Sequence, residues 1–306
     1  MDFKNQALDL QKKPFLSFGW VPDYENIGIY YQRAANVFAN SDIIESVNCY
    51  NLATDNLLKA GIIFEAAKCQ EMLAKLMKRT GKLAESSTAF DKAGELFRKL
   101  AQNDTASDMF SNAAQIAEQQ KDVKLAGTLF TKAVDVLVDN DKGLLSHDMF
   151  KKSSGFFLRN QLYRECIELY KKQILVIENY KKPGISKIQL SIVIIYVATN
   201  DALNATQYLN QCISNLGGSS ASMALLGGAG NIELPSELVA AQTIIDSYQK
   251  GDLKALTATV NDFIMFLDVE VAKLSTSISV ATKTAIPINA APAIDLNEIN
   301  EEEGFA

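Results

Sequence analysis

Residues of matched size recur every forty positions along most of this chain. Tyr50, Phe90, Phe130 and Tyr170 form an aromatic column. Ala34, Ala74, Ala114 and Ser154 form a small one, as do Ser46, Ser86, Ala126, Cys166 and Thr206. Two mixed columns run through Ile43, Leu83, Val123, Tyr163 and Leu203, and through Val37, Met77, Ala117, Phe157 and Val197. A period of this length implies a repeat architecture, in which each unit buries its apolar face against its neighbours.

Each unit reads as two helices. In the third, Phe110, Ala113, Ala114 and Ala117 keep helical spacing, and so do Val123, Ala126, Leu129, Phe130 and Val134. Short polar turns separate the pairs at Asn40-Ser-Asp, Thr80-Gly-Lys, Gln120-Lys-Asp, Asn160-Gln and Asn200-Asp. Strand-like alternation is nearly absent. The expected fold is all-α, a tetratricopeptide-like α-solenoid of antiparallel helix pairs with a flexible acidic C-terminal tail.

The period slips once. A Gly/Ser-rich insertion at 216–231 delays the pattern by about ten residues, and Lys250-Gly-Asp-Leu253 then resembles the earlier turns. A last helix pair is expected over Pro235 to Leu274. Residues 1–274 thus read as the repeat domain, with an apolar loop at 14–24. Residues 275–306 read as a flexible linker, Ser275 to Ile294, followed by the acidic tail.

Composition narrows the function. The 306 residues carry a net charge of −6, which argues against nucleic acid as the main partner. Cys49, Cys69, Cys166 and Cys212 neither pair as CxxC nor cluster, so buried reduced thiols are expected rather than a disulfide framework or a zinc site. The N-terminus lacks the order of a signal peptide, and the apolar run Ile188 to Ala198 is too short to span a bilayer. A soluble, cytoplasmic protein is expected.

Catalytic signals are weak. The single histidine, His147, sits in a polar turn and reads as a surface or capping residue. Gly227-Gly-Ala-Gly230 lacks the Lys-Ser/Thr and the preceding strand of a phosphate loop. The expectation is a non-enzyme with no metal and no cofactor.

Three features remain. The segment Phe15-Leu-Ser-Phe-Gly-Trp20 holds Phe15, Leu16, Phe18 and the only tryptophan, flanked by Pro14 and Pro22. It either caps the first helix pair or is exposed and binds a membrane interface or a protein groove. The tail places Glu298, Glu301, Glu302 and Glu303 before Gly304-Phe305-Ala306. It is either a solvated end or a short linear ligand, with the acids steering and Phe305 anchoring. Basic stretches alternate with acidic ones along the repeats. Lys59 to Lys99 nets +4, and Lys151 to Lys187 nets +6. Lys151 and Lys152 fall on the first helix of their unit, which lines the concave side in tetratricopeptide-like stacks, where an acidic partner would contact them.

The stretch Phe15-Leu-Ser-Phe-Gly-Trp-Val-Pro-Asp-Tyr24, followed by Tyr31-Gln-Arg-Ala-Ala-Asn-Val-Phe38, resembles the soluble NSF attachment protein family, and most of all its gamma branch. The forty-residue hairpins and the acidic terminus fit the same family. The resemblance implies an adaptor that binds SNARE complexes and recruits the hexameric ATPase NSF for their disassembly in membrane fusion and vesicle transport. It implies that Phe15, Leu16, Phe18 and Trp20 form a membrane-attachment loop, so that the protein sits peripherally on membranes. It implies that Glu301, Glu302, Glu303 and Phe305 form the ATPase-binding tail, although Phe305 stands where the family has leucine. The alternative is a generic helical-repeat scaffold within a larger assembly.

The acidity has a definite place. Thr284 to Ala306 holds Asp295, Glu298, Glu301, Glu302 and Glu303 and no base, a net of −5, which leaves −1 for the rest of the chain.

Overall fold

The computed structural model describes residues 2–12, 21–138, 146–179, 184–216 and 234–284, apart from the side chains of 179 and 279–284. The described residues form fourteen α-helices and no strand. They are α1 Phe3–Gln11, α2 Tyr24–Phe38, α3 Ile43–Lys59, α4 Ile63–Arg79, α5 Leu83–Lys99, α6 Asn103–Gln119 and α7 Val123–Val138. These are followed by α8 His147–Arg159, α9 Tyr163–Asn179, α10 Ile185–Ala198, α11 Ala202–Asn215, α12 Ser236–Lys250, α13 Leu253–Phe263 and α14 Val269–Thr284. A 3-10 turn, Ile264–Phe266, links the last two. The chain divides into two compact units, Met1–Ile188 and Gln189–Ala306.

The first unit is a tetratricopeptide-like stack in which each helix packs on the next in sequence, from α1 to α9. The turns explain why the helices are so regular. In the turn after α3, the Ile62 amide donates to the Leu57 carbonyl at 2.8 Å, and the Gly61 amide to Leu58 at 3.1 Å. This double bond pattern closes a helix through one residue in the left-handed region. The same geometry recurs at Gly81, Ala101, Lys121 and Gln161, and in the second unit at Asn200 and Gly251. The turn therefore repeats every twenty residues, half the period visible in the side chains. Asp122 serves two helices. Its amide closes α6 on the Ala117 carbonyl, and its carboxylate accepts from the Leu125 amide to cap α7. One left-handed residue and one cap are the whole connection.

Three of the five columns are packing positions; the column of Ile43, Leu83, Val123, Tyr163 and Leu203 has no buried member, and Val37 in the fifth is 60% exposed. Tyr50, Phe90, Phe130 and Tyr170 are all buried. Ser46, Ser86, Ala126 and Cys166 are fully enclosed where the two helices of a hairpin approach. Small side chains are needed there, and the hydroxyls also satisfy carbonyls of the facing helix. Ser46 donates to Ala35 at 2.8 Å and Ser86 to Ala74 at 2.7 Å. Successive hairpins are joined by longer-range pairs. Lys132 of α7 reaches Asp91 and Glu95 of α5, and Arg159 of α8 reaches Glu118 of α6.

Two expectations need correction. The fifth unit is one residue short: the left-handed positions are Gln161 and Asn200. Ala205 therefore takes the enclosed position expected for Thr206, and Leu203 is turned 69% to solvent. Register recovers after the insertion, with Leu256 enclosed five residues beyond Gly251. The second correction concerns the C-terminus. Ser275 to Thr284, read as linker, belongs to α14, where Val271, Ser275 and Ile278 are buried. The apolar positions there are spaced by three and four residues, but Ser and Thr between them weaken the helical signal.

Candidate partner-binding surfaces

Two first helices of hairpins in the first unit, α4 and α8, carry exposed basic side chains, α4 together with exposed apolar ones. On α4, Phe64, Lys68, Met72, Lys75 and Arg79 follow at helical spacing. Phe64 is 40% exposed and Met72 42%, high values for large apolar groups. Lys68 lies 5.9 Å from the Phe64 ring centre and 5.6 Å from that of Phe97. The stripe is anchored from below by Glu71, which bonds Lys68 at 2.9 Å and Lys75 at 2.7 Å. Burial pushes the Glu71 carboxyl up, but the two lysines outweigh it and hold the group below the usual carboxylate range. The stripe was legible in the sequence as a Phe-Lys-Met-Lys-Arg series, but the forty-residue columns drew attention to buried positions instead.

Lys151 and Lys152 stand exposed on α8. Neither is bound to a carboxylate among the described residues, whereas Arg159 on the same helix is held by Glu118. His147 is the exposed first residue of α8. The aromatic segment with Phe15, Leu16, Phe18 and Trp20 lies outside the described residues, as do Glu301, Glu302, Glu303, Phe305 and residues 217–231. Of the expected site residues, Lys151 and Lys152 are the ones within the described residues.

A groove of about 630 Å³ opens between α7 and α9, floored by Phe157 and walled by Gly127, Thr131 and Glu165. Of its two lysines, Lys124 and Lys132, the second is already committed to Asp91 and Glu95. All four thiols are buried. Burial pushes Cys49 up to about 11 and Cys69 to about 12, so both stay protonated at neutral pH. Among the described residues no three His, Cys, Asp or Glu side chains gather as metal ligands, and no helix is long and apolar enough to cross a membrane.

In the second unit, Met265 is 90% exposed and Phe266 64%, on the 3-10 turn after α13. The run Phe263-Ile-Met-Phe266 falls within the last helix pair expected over Pro235 to Leu274, where the structure has the 3-10 turn instead.

These features define a helical-repeat protein whose exposed surfaces, rather than an enclosed pocket, carry its distinguishing side chains. Residues 23–141 match the model of a protein family described as soluble NSF attachment protein, SNAP. That span runs from the cap of α2 to just beyond α7. No curated protein matches the chain. Among solved structures, the apo form of RapI is similar over 92% of this chain and 79% of its own, at 11% identity and a TM-score of 0.39. BtubC (BKLC) from P. vanneervenii is similar over 68% of this chain and 93% of its own, at 14% identity and a TM-score of 0.32.

Proposed function

We propose that the protein is an adaptor of the soluble NSF attachment protein family, not an enzyme, which binds SNARE complexes and recruits NSF to disassemble them. The observation that carries this reading is the family match over residues 23–141, a span that coincides with the three regular hairpins α2–α7. The gamma branch is favoured by Trp20-Val-Pro-Asp-Tyr24.

In this reading the roles divide along the chain. Lys151 and Lys152 contact the acidic face of the SNARE bundle, supported by their exposure and lack of a carboxylate partner among the described residues. Phe15, Leu16, Phe18 and Trp20 attach the protein to the membrane surface, supported by their clustering beside the family match. Glu301, Glu302, Glu303 and Phe305 engage the ATPase, supported by the concentration of acids in the last residues. The protein would act in the cytoplasm as a peripheral membrane component.

Retention of NSF on an immobilised SNARE complex, with and without this protein, tests the reading. The adaptor bridges the two only when ATP hydrolysis is blocked, and deleting 297–306 abolishes the bridge. A scaffold of the generic kind would form its complexes without regard to nucleotide.

A further inference from the structure

The turn between α13 and α14 points large apolar side chains into solvent. Met265 is 90% exposed, Phe266 64%, and Val269, the first residue of α14, 61%. The base of the turn is fixed. Val260 before it and Leu267 after it are buried, and the Leu267 amide donates to the Ile264 carbonyl at 3.4 Å. Two anchoring side chains are thus held out in place, which lowers the ordering cost of binding. Acids flank them. Asp262 is exposed and makes no ion pair among the described residues, Asp268 follows, and Glu270 is bound to Lys273. This acidic margin opposes an anionic bilayer surface and suits a protein groove with a basic rim.

The chain carries such a groove. The cavity of about 630 Å³ between α7 and α9 adjoins a second of about 330 Å³, and the two share Thr131, Phe157 and Glu165. Phe157 forms an apolar floor, and Gly127 keeps one wall low: a Cβ built there would already meet the Phe157 ring at 3.4 Å. Most of the charged side chains on the walls are committed. Lys132 is bonded to Asp91 and Glu95, Lys172 to Asp135, and Lys171 to Glu168. Lys124, Arg164 and Glu165 remain, all exposed and unpaired among the described residues, two bases to one acid.

We propose that the Met265–Phe266 turn of one copy docks in the α7–α9 groove of a second copy, with the acidic margin of the turn against Lys124 and Arg164. The contact goes beyond the SNARE reading and does not depend on it. Knob and groove are different patches, so each copy keeps one of the two unused, and copies add head to tail into a ring or an open row. Two anchoring side chains bury little area, so the association is weak and reversible. Its use is multivalency, since linked copies hold a shared partner more tightly than single ones.

Sedimentation of the full chain tests this. The native protein should gain mass with concentration across the micromolar range. Met265→Ser with Phe266→Ser removes the knob. Thr131→Trp fills the groove at an exposed residue that both cavities share. Each variant is expected to raise the dissociation constant about tenfold or more, with the melting temperature unchanged. Lys124→Glu with Arg164→Glu leaves the groove open and should weaken association as strongly. Mixed one to one, the chain without the knob and a chain with a spoiled groove should form a 1:1 dimer of two complementary halves: the first brings an intact groove, the second an intact knob. The dimer should grow no further. A native chain that stays monomeric would overturn the proposal. So would association that survives either set of substitutions, or a mixture that does not pair. Loss of flotation with phosphatidylserine vesicles in the Met265→Ser, Phe266→Ser chain, with sedimentation unchanged, would assign the turn to lipid instead.

Discussion

Gly94 sits where α5 meets α6, and a Cβ built there would lie 2.6 Å from the Phe110 ring. Phe110 is fully buried and has nowhere to retreat. Gly94→Ala is therefore expected to cost about 1–3 kcal/mol, measured by thermal or urea unfolding. Gln161 poses the opposite case. It holds a φ of 58° that a side chain resists and glycine accepts. Gln161→Gly should stabilise the chain by about 0.5–1 kcal/mol in the same measurement. These turns also mark the limit of the sequence reading. Gly81 announces a left-handed turn, but Ala101, Lys121 and Gln161 take the same conformation without a glycine to signal it. The half-period of twenty was hidden for that reason. Glu71 supplies a pH dependence. Its carboxyl is depressed in the fold, so its contribution is present above the ordinary carboxylate range and is lost as pH falls through the lower folded value. The acid limb of a stability–pH curve should flatten in Glu71→Gln. An unchanged limb would mean that Lys68 and Lys75 do not stabilise the ionised form.

At the scale of elements, the side-chain columns identified the hairpins because one face of each helix is buried in the same way in successive units. The reading failed where that burial pattern changes. α1 buries only Ala7, too little to register as a period. The second half of α14 sets Ile278 among Ser and Thr, so Ser275 to Thr284 reads as linker. Its packing makes a direct prediction about boundaries. A chain ending at Thr284 should melt like the full-length protein. A chain ending at Leu274 removes the buried Ser275 and Ile278 and should lose roughly 1.5–3 kcal/mol for Ile278 alone. Equal stability of the two would show that the second half of α14 contributes nothing.

Taken as a whole molecule, the chain separates three kinds of sequence along its length. An aromatic segment lies near the N-terminus, hairpins with exposed bases follow, and the acids concentrate at the C-terminus. Repeat architecture permits this separation, because each hairpin is stabilised by its neighbours and leaves its outer residues free to vary. The fold was legible from the spacing of buried residues. The functional surfaces were legible only in part, because exposed residues such as Phe64 and Met72 obey no packing rule that a period can reveal. The role proposed for this chain is to link NSF to SNARE complexes. The most direct measurement is capture of NSF on an immobilised SNARE complex in the presence of a non-hydrolysable ATP analogue. NSF retention is expected to require this protein and to be released on ATP hydrolysis. Retention of neither partner, or a complex indifferent to nucleotide, would contradict it.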